Sequence, residues 1–458
     1  MTRTHLFLLW LCLAAGVVPP LRGAQAQTSA ARDRLYSFTE RMQPERLRAV
    51  RADRERHARA RRAVRLRMGL DDYRAILHAH AEDAKHTGGT RPEMLRAAKQ
   101  AGVRIIMLTD HVRPPRDFIN DSWRGVREGV LFIPGAEAEG FLVYPKRSIM
   151  NRKWQTREEY IGLARENGGD IFLSHVEERP DWATAPLTGM EIYNHHTDAK
   201  DEQMEFIKWL TATTADPDVL AAFQKLLPEY PQEIMASQQD YLTAIIAKWD
   251  RDSATHRVTG VAANDCHHNQ VVTAKVGADG SMELWLTGDD KPSLTIREKN
   301  APRLKEVING RAPGAVIATL DFDPYERSMQ YVSTHVLTNT LTEPGVRAAL
   351  KQAHAYVAHD WLCDPTGFAV TAQAGKRRVG VMGDEVRMKA GLRIRAATPA
   401  PAVIRLYHNG VKIQEVEAAE LDEPLNAPGV WRVEAWLRAG GELRPWIYAN
   451  PIRCLAAP

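Results

Sequence analysis

The short apolar runs of this chain end, one after another, on histidine or a carboxylate. Ala75–His80 reads AILHAH, and Val103–His111 reads VRIIMLTDH. FIPGAEAEG brings Glu137 and Glu139 after a Pro-Gly turn, and DIFLSH ends on His175. GMEIYNHH carries Glu191, Asn194, His195 and His196, and VAANDCHH carries Asp265 and His267. Helical patterns such as Arg157–Glu166 lie between several of these runs. That alternation argues for a parallel α/β sheet or barrel. In such folds the C-terminal ends of the strands share one edge. Charges gathered there repel, or are costly to desolvate, unless metal ions neutralise them. One strand-end histidine is ordinarily structural; a succession of them is hard to explain as packing.

The first run sets the pattern. Period-2 geometry sends His78 and His80 to one side of the strand. His86 follows six residues after His80, and TRPEMLRAAKQAG then reads as a helix. Thr90 and Glu93 form its capping box, Pro92 sits in the first turn and Gly102 follows the last. Neutral imidazoles on one face, with another on the next loop, suit a transition metal.

The remainder of the chain frames this region. Residues 1–26 resemble an export signal: Arg3, an apolar stretch from Leu6 to Val18, and the small-x-small site Ala24-Gln25-Ala26. The apolar stretch is shorter than the ~20 residues that span a bilayer. The expected mature protein is exported, either periplasmic or extracellular, with no membrane span. Residues 27–70 read as an Arg-rich helical segment, and residues 71–368 as the metal-dependent α/β region. Residues 197–255 read as a helical insertion that overhangs the strand ends. Residues 369–458 read as an all-β, Ig-like sandwich with a turn at His408-Asn409-Gly410, its core including Trp431, Trp436 and Trp446. A net charge of +4 over 458 residues gives no case for nucleic acid. Cys363 and Cys454 flank the sandwich, and an exported chain permits a bridge between them. The other reading is two free buried cysteines. Oligomeric state is not legible.

His-x-His, a histidine six residues later, Thr-Asp-His, Pro-Gly-x-Glu, a strand-end histidine and a late Asp-x-His occur here in the order of the PHP (polymerase and histidinol phosphatase) domain. Over residues 71–268 the chain resembles that family, and in its C-terminal third it is similar to the secreted branch whose members are grouped with carbamate hydrolases. The resemblance implies a distorted (β/α)7 TIM-like barrel with two or three divalent ions, Zn, Mn or Fe. It implies one metal site of His78, His80, Glu137 and Asp265, and a second of His86, His111 and His267. Glu137 and His175 belong to a third, with Glu137 bridging. The family's usual histidine soon after Pro-Gly-x-Glu is missing, since Gly140-Phe141 stand there; the third site is then weak, empty or completed by His195 or His196. Val176 replaces the usual proline after the strand-end histidine.

The expected chemistry is metal-assisted hydrolysis of a small-molecule ester, with Glu137, Asp265 and His175 as the catalytic residues. A phosphoester is the first substrate class, and a carboxyl or carbamoyl ester on the same site the alternative. Trp123, Trp154 and Trp182 would suit an apolar group, or are core. A third possibility is a non-catalytic binding protein stabilised by metal, though structural sites are closed and built differently. Arg113, Arg116, Arg124 and Lys146, with His195 and His196, are candidates for contact with substrate. The chain has no Gly-x-Ser-x-Gly and no P-loop, so serine-nucleophile and NTPase readings lack support.

Overall fold

In the computed structural model, residues 35–457 are described; the expected export segment at 1–26 lies outside them. The chain is mixed α/β, and its strands pair into three sheets. The first is built around Asp72–Ile76, which is parallel to Ile105–Met107, itself parallel to Val130–Ile133. On its other side Asp72–Ile76 is antiparallel to Ser333–Leu337. The second sheet runs Thr259–Ala263, Gly189–Asn194, Asp170–Leu173, Phe141–Tyr144, Ala136–Ala138, Asp110–His111. The two share a core, with Ala75, Leu77, Ile105 and Ile133 from one meeting Leu142, Tyr144, Phe172 and Val261 from the other. The helix Arg91–Gln100 has both halves of its capping box, and it buries Met94, Leu95, Ala97 and Ala98. These pack with Ile76, Ile106 and Phe132.

The strand pairing does not confirm the expected barrel: among the described residues no ladder closes on itself. The two large sheets meet instead at a seam. Ala79 bridges Cys266 in parallel, and the His80 amide donates to the Cys266 carbonyl at 3.0 Å. Thr109 N donates to Ala79 O at 2.9 Å, and Glu137 N to Thr109 O at 3.1 Å. These bonds carry the ends of strands from both sheets to one place.

The C-terminal strands are antiparallel, as expected, except that Glu385–Arg387 runs parallel to Ile452–Leu455, and they do not stand apart as a separate sandwich. Glu442–Ala449 pairs with Ala355–Ala358 and so continues the first sheet. Leu392–His408 and Val411–Pro424 form a long hairpin. Its turn places Asn409 at φ +49° and Gly410 at φ +78°, the left-handed pair that Asn-Gly serves at low cost. Trp431, Trp436 and Trp446 are buried in its core. The expected Cys363–Cys454 bridge is also corrected, because both thiols are free and buried. Cys454 lies on the last strand opposite Val386 and Gly429, and Cys363 sits in a turn whose carbonyl accepts the Trp446 indole N–H.

Residues 197–255 are helical, but their packing was not anticipated. Gln203–Thr214 and Pro217–Glu229 bury Leu210, Leu220, Phe223 and Leu227 against the third sheet, whose Val272, Met282, Leu284 and Leu320 complete a second core. That sheet (Val271–Val276, Met282–Trp285, Leu294–Ile296, Val316–Asp321) had no clear signature in the sequence. Thr243–Thr255 lies on Gly189–Asn194 and on the strand Gly429–Ala439. The bulk of the segment is thus engaged with sheets, and His195–Lys200 is the part that borders the strand-end histidines. In the N-terminal segment, arginines expected at a solvated face are partly structural: Arg41 is buried on Glu442, and Arg51 and Arg54 converge on Glu233. No helix among the described residues is long and apolar enough to cross a membrane.

Candidate metal centre

The seam gathers five strand-end histidines and two carboxylates. Three groups have ligand atoms mutually within 4.8 Å: His78–His80–Asp265, His80–His111–His267, and His78–Glu137–His175. They overlap, sharing His78 and His80. His78 Nε2 lies 3.1 Å from His80 Nε2 and 3.2 Å from Asp265 Oδ1. Glu137 Oε2 lies 3.6 Å from His78 Nε2 and 3.7 Å from both His80 Nε2 and His111 Nε2, while Glu137 Oε1 lies 3.0 Å from His175 Nε2. Asp265 Oδ2 is 3.6 Å from His175 Nε2. Glu137 and Asp265 therefore stand between histidines of different groups.

Behind this layer, carboxylates fix the rings. Asp83, fully buried, accepts from His80 Nδ1 at 3.0 Å, His111 Nδ1 at 2.7 Å and the His111 amide at 2.8 Å. Thr87 donates to its other oxygen at 2.6 Å. Glu191 accepts from His78 Nδ1 at 2.7 Å, and its second oxygen takes the His175 amide and the Asn194 side chain. Using up each Nδ1 this way sets the tautomer and leaves Nε2 for the centre. Asp83 was not singled out from the sequence; its one signal is its spacing, three residues beyond His80 in the loop that ends on His86. Glu191 was singled out, without a role.

Charge in the cluster is unbalanced. Burial opposes ionisation of His78, yet Asp265, Glu191 and Glu137 hold it well above its ordinary value. His175 is raised against its burial in the same way, by Glu137 first. His80 goes the other way: burial, with His267 and His111 beside it, pushes it down to about 3. The carboxylates thus demand positive charge, while other imidazoles stay neutral and available. Among the described residues, buried His267 Nε2 has no hydrogen-bond partner, and Asp265 Oδ1 accepts no well-formed hydrogen bond. Buried polar atoms left in this state are costly unless something binds them. Mixed imidazole and carboxylate donors with unmet valence fit divalent transition ions.

The backbone around the centre is also unusual. His175 has φ +44° and Asp265 φ +50°, and Glu82, Glu139 and His268 nearby are left-handed as well. Non-glycine residues pay on the order of 1 kcal/mol or more for that conformation, and such residues collect at functional sites.

Several of the expected site residues lie outside the tight cluster. His86 stands farther out, its ring 5.2 Å from those of His111 and His267, and it belongs to none of the three tight groups; His80 takes its place beside them. Burial and those two histidines lower His86 to about 4. His196 is half-buried at the edge, with Nδ1 3.9 Å from Asp265 Oδ2. His195 is buried against Tyr331 instead of facing the mouth. Arg113 is exposed and near enough to His86 to add to its lowering. Arg116 is spent internally, on Asp110 Oδ2 at 2.6 Å and the Glu82 carbonyl at 3.0 Å. Arg124 leans toward Glu343 at 3.7 Å. Lys146 is at the wrong end of its sheet. Phe141–Tyr144 runs antiparallel to Asp170–Leu173, pairing Phe141 with Leu173 beside His175 and Tyr144 with Asp170 at the far edge. The tryptophans are engaged too: Trp182 packs on Phe141 under Arg157, Trp154 on Tyr160, and Trp123 on Phe132.

No protein-family model matches the chain, and no curated protein sequence matches it. Among solved structures, a two-domain protein from Bacteroides vulgatus containing a predicted PHP-like metal-dependent phosphoesterase is similar at 13% identity and a TM-score of 0.32, over 85% of this chain and 98% of that one. A likeness at that level adds nothing to what the residues themselves show.

Proposed function

We propose that this protein is a metal-dependent hydrolase of the PHP type, with phosphoesters as its substrates. The observation that carries this reading is the overlap of three ligand groups around Glu137 and Asp265. On this reading His78, His80, Glu137 and Asp265 hold one ion. His111 and His267, with His80 beside them and His86 farther out, hold a second. Glu137 and His175 provide for a third. Divalent ions supply Lewis acidity and offset negative charge that develops during ester hydrolysis.

The chain's own groups do the rest. Glu137 and Asp265, each between imidazoles of different groups, keep the ligand sets at a fixed separation. Asp83 and Glu191 lock ring orientation, so that little reorganisation is needed when substrate arrives. Arg113, exposed beside His86, is placed to attract an anionic group. This is why a phosphoester is preferred to a neutral ester, since the tryptophans that would suit an apolar substrate are already packed. The reading also takes the protein as exported, on residues 1–26; N-terminal sequencing of mature protein starting before residue 20 would exclude that cleavage.

The deciding experiment is elemental analysis of protein purified without chelators, read beside hydrolysis of a phosphomonoester, a phosphodiester and a carboxyl ester. At least two transition ions per chain and phosphoester turnover are expected, with Zn, Mn or Fe the candidates. Less than one ion per chain removes the reading, and turnover of the carboxyl ester alone moves it to the other ester class.

A further inference from the structure

Exposed cationic side chains collect outside the metal centre, on an extended run and on the hairpin it meets. After the helix Pro44–Ala60 the chain runs without regular structure through residues 61–68. Alternation governs it as in a strand: Val64 and Met68 are buried and Leu66 is half-buried, while Arg65 and Arg67 are exposed on the other side. Arg62 is exposed as well, its amide tied to Pro399 O at 2.7 Å. At the far end the Arg67 carbonyl accepts from Arg378 Nη1 at 2.8 Å. That bond docks the run on the edge hairpin Ala369–Ala374/Arg377–Val381, whose turn adds exposed Lys376 and Arg377.

These charges are not balanced by the protein. Asp364 is paired with Arg61 at 2.8 Å and Glu55 with Arg59 at 3.6 Å. Among the described residues, the side chains of Arg62, Arg65, Arg67, Lys376 and Arg377 have no carboxylate partner. Uncompensated like charges held in a row raise the energy of the fold and favour a polyanion that displaces their counterions. Arginine predominates, the side chain whose planar fork makes bidentate contacts to oxyanions such as carboxylate, sulfate and phosphate.

We infer that the row Arg62–Arg65–Arg67–Lys376–Arg377 is a docking face for an acidic polysaccharide. Arg62, Arg65 and Arg67 lie along one extended run, a spacing suited to a linear polymer, and the hairpin docked on that run adds Lys376 and Arg377. No aromatic residue lies in 59–70 or 374–381, so there is no platform for unstacked bases. None of the exposed large hydrophobic side chains falls in those stretches either, so nothing is available to insert into a bilayer.

The test uses the full chain and immobilised heparin as the linear sulfated probe. The triple variant Arg65→Gln/Arg67→Gln/Arg377→Gln removes three exposed charges and leaves the Arg378 contact intact. Its control, Lys225→Gln/Lys291→Gln/Lys299→Gln, removes the same charge from exposed positions elsewhere. Both should melt with the wild type. At physiological ionic strength the row variant is expected to bind about ten-fold or more weakly, with a shallower salt dependence, and the control to stay within about two-fold. Equal weakening in both variants would reduce the effect to bulk charge and overturn the assignment. So would absence of wild-type retention at low salt, or tighter wild-type binding to phosphatidylglycerol vesicles or duplex DNA than to heparin.

Discussion

Two buried clusters of histidine and carboxylate lie in this molecule, and they are built on opposite terms. Around His335, every charge has its answer. Its Nδ1 lies 2.7 Å from Asp72 Oδ1 and its Nε2 3.0 Å from Asp360 Oδ1. Arg74 reaches Asp360 at 2.7 Å, Tyr356 donates to Asp72 at 2.6 Å, and Ser333 donates to Asp360. Two cations meet two carboxylates, and each imidazole nitrogen is used. At the seam, imidazoles face one another, His78 and His80 bring their Nε2 atoms to 3.1 Å, and His267 Nε2 has no partner. The first cluster is complete within the chain and holds Asp72–Ile76 to its neighbours. The second leaves buried donor atoms that no described residue pairs. Histidine count and burial do not separate the two; unmet valence does.

The sharpest way to break the contrast is at Glu137. Glu137→Gln keeps size and removes the charge shared among His78, His80, His111 and His175. Phosphoester turnover is expected to fall about a thousand-fold or more, with metal content reduced and the melting temperature little changed. Turnover within about ten-fold of wild type would refute the role given to that carboxylate. The matching change in the complete cluster, His335→Gln, leaves Asp72 and Asp360 buried without their shared cation. It should cost about 3–5 kcal/mol of stability in denaturant titration and leave metal content untouched. A loss below about 1 kcal/mol would show that the cluster does not hold the sheet.

Alkaline pH probes the same cluster without mutation. Burial works against ionisation of His335, but Asp72 and Asp360 outweigh it and raise the group to about 9. The folded value is above the ordinary one near 6.5, so its contribution is fully present below about 6.5 and is lost as pH rises through about 9. The span amounts to roughly 3 kcal/mol. Unfolding free energy measured from pH 6 to 10 should decline over that window, and less steeply in His335→Gln. Parallel slopes in the two proteins would contradict this. The smallest effect is expected at Asp83. Asp83→Asn keeps the shape but weakens its hold on His80 and His111, and should lower metal affinity about 10–100-fold, measured by competition with a chromophoric chelator. An unchanged affinity would mean that Asp83 does not orient the ligands.

The candidate ligands were legible because their signal is local. A period-2 run ending in His-x-His or Asp-x-His announces both a strand and the side its histidines face. The capping box at Thr90 and Glu93 and the turn at Asn409-Gly410 were legible for the same reason. What was not legible depends on partners distant in sequence. Asp83 sits in a loop with no periodicity, and its value comes from His111, which another strand delivers. Lys146 was misplaced because Phe141–Tyr144 turns back as a hairpin, which apolar content cannot distinguish from a parallel strand. Arg116 looks available until Asp110 is brought beneath it. The C-terminal strands were recognisable as strands, but not as a continuation of the first sheet.

The seam also sets an order in time. Cys266, whose carbonyl is bonded to His80, lies 188 residues beyond His78. Synthesis at roughly 5–20 residues per second puts on the order of ten seconds or more between the two. During that interval the growing chain carries His78 and His80 without Asp265 or His267, a pair of imidazoles with no more grip on an ion than any exposed His-x-His. On the proposed metal-dependent reading, the full ligand set first exists once both sheets have been made and have met, which would limit scavenging of the wrong cation by a half-made chain.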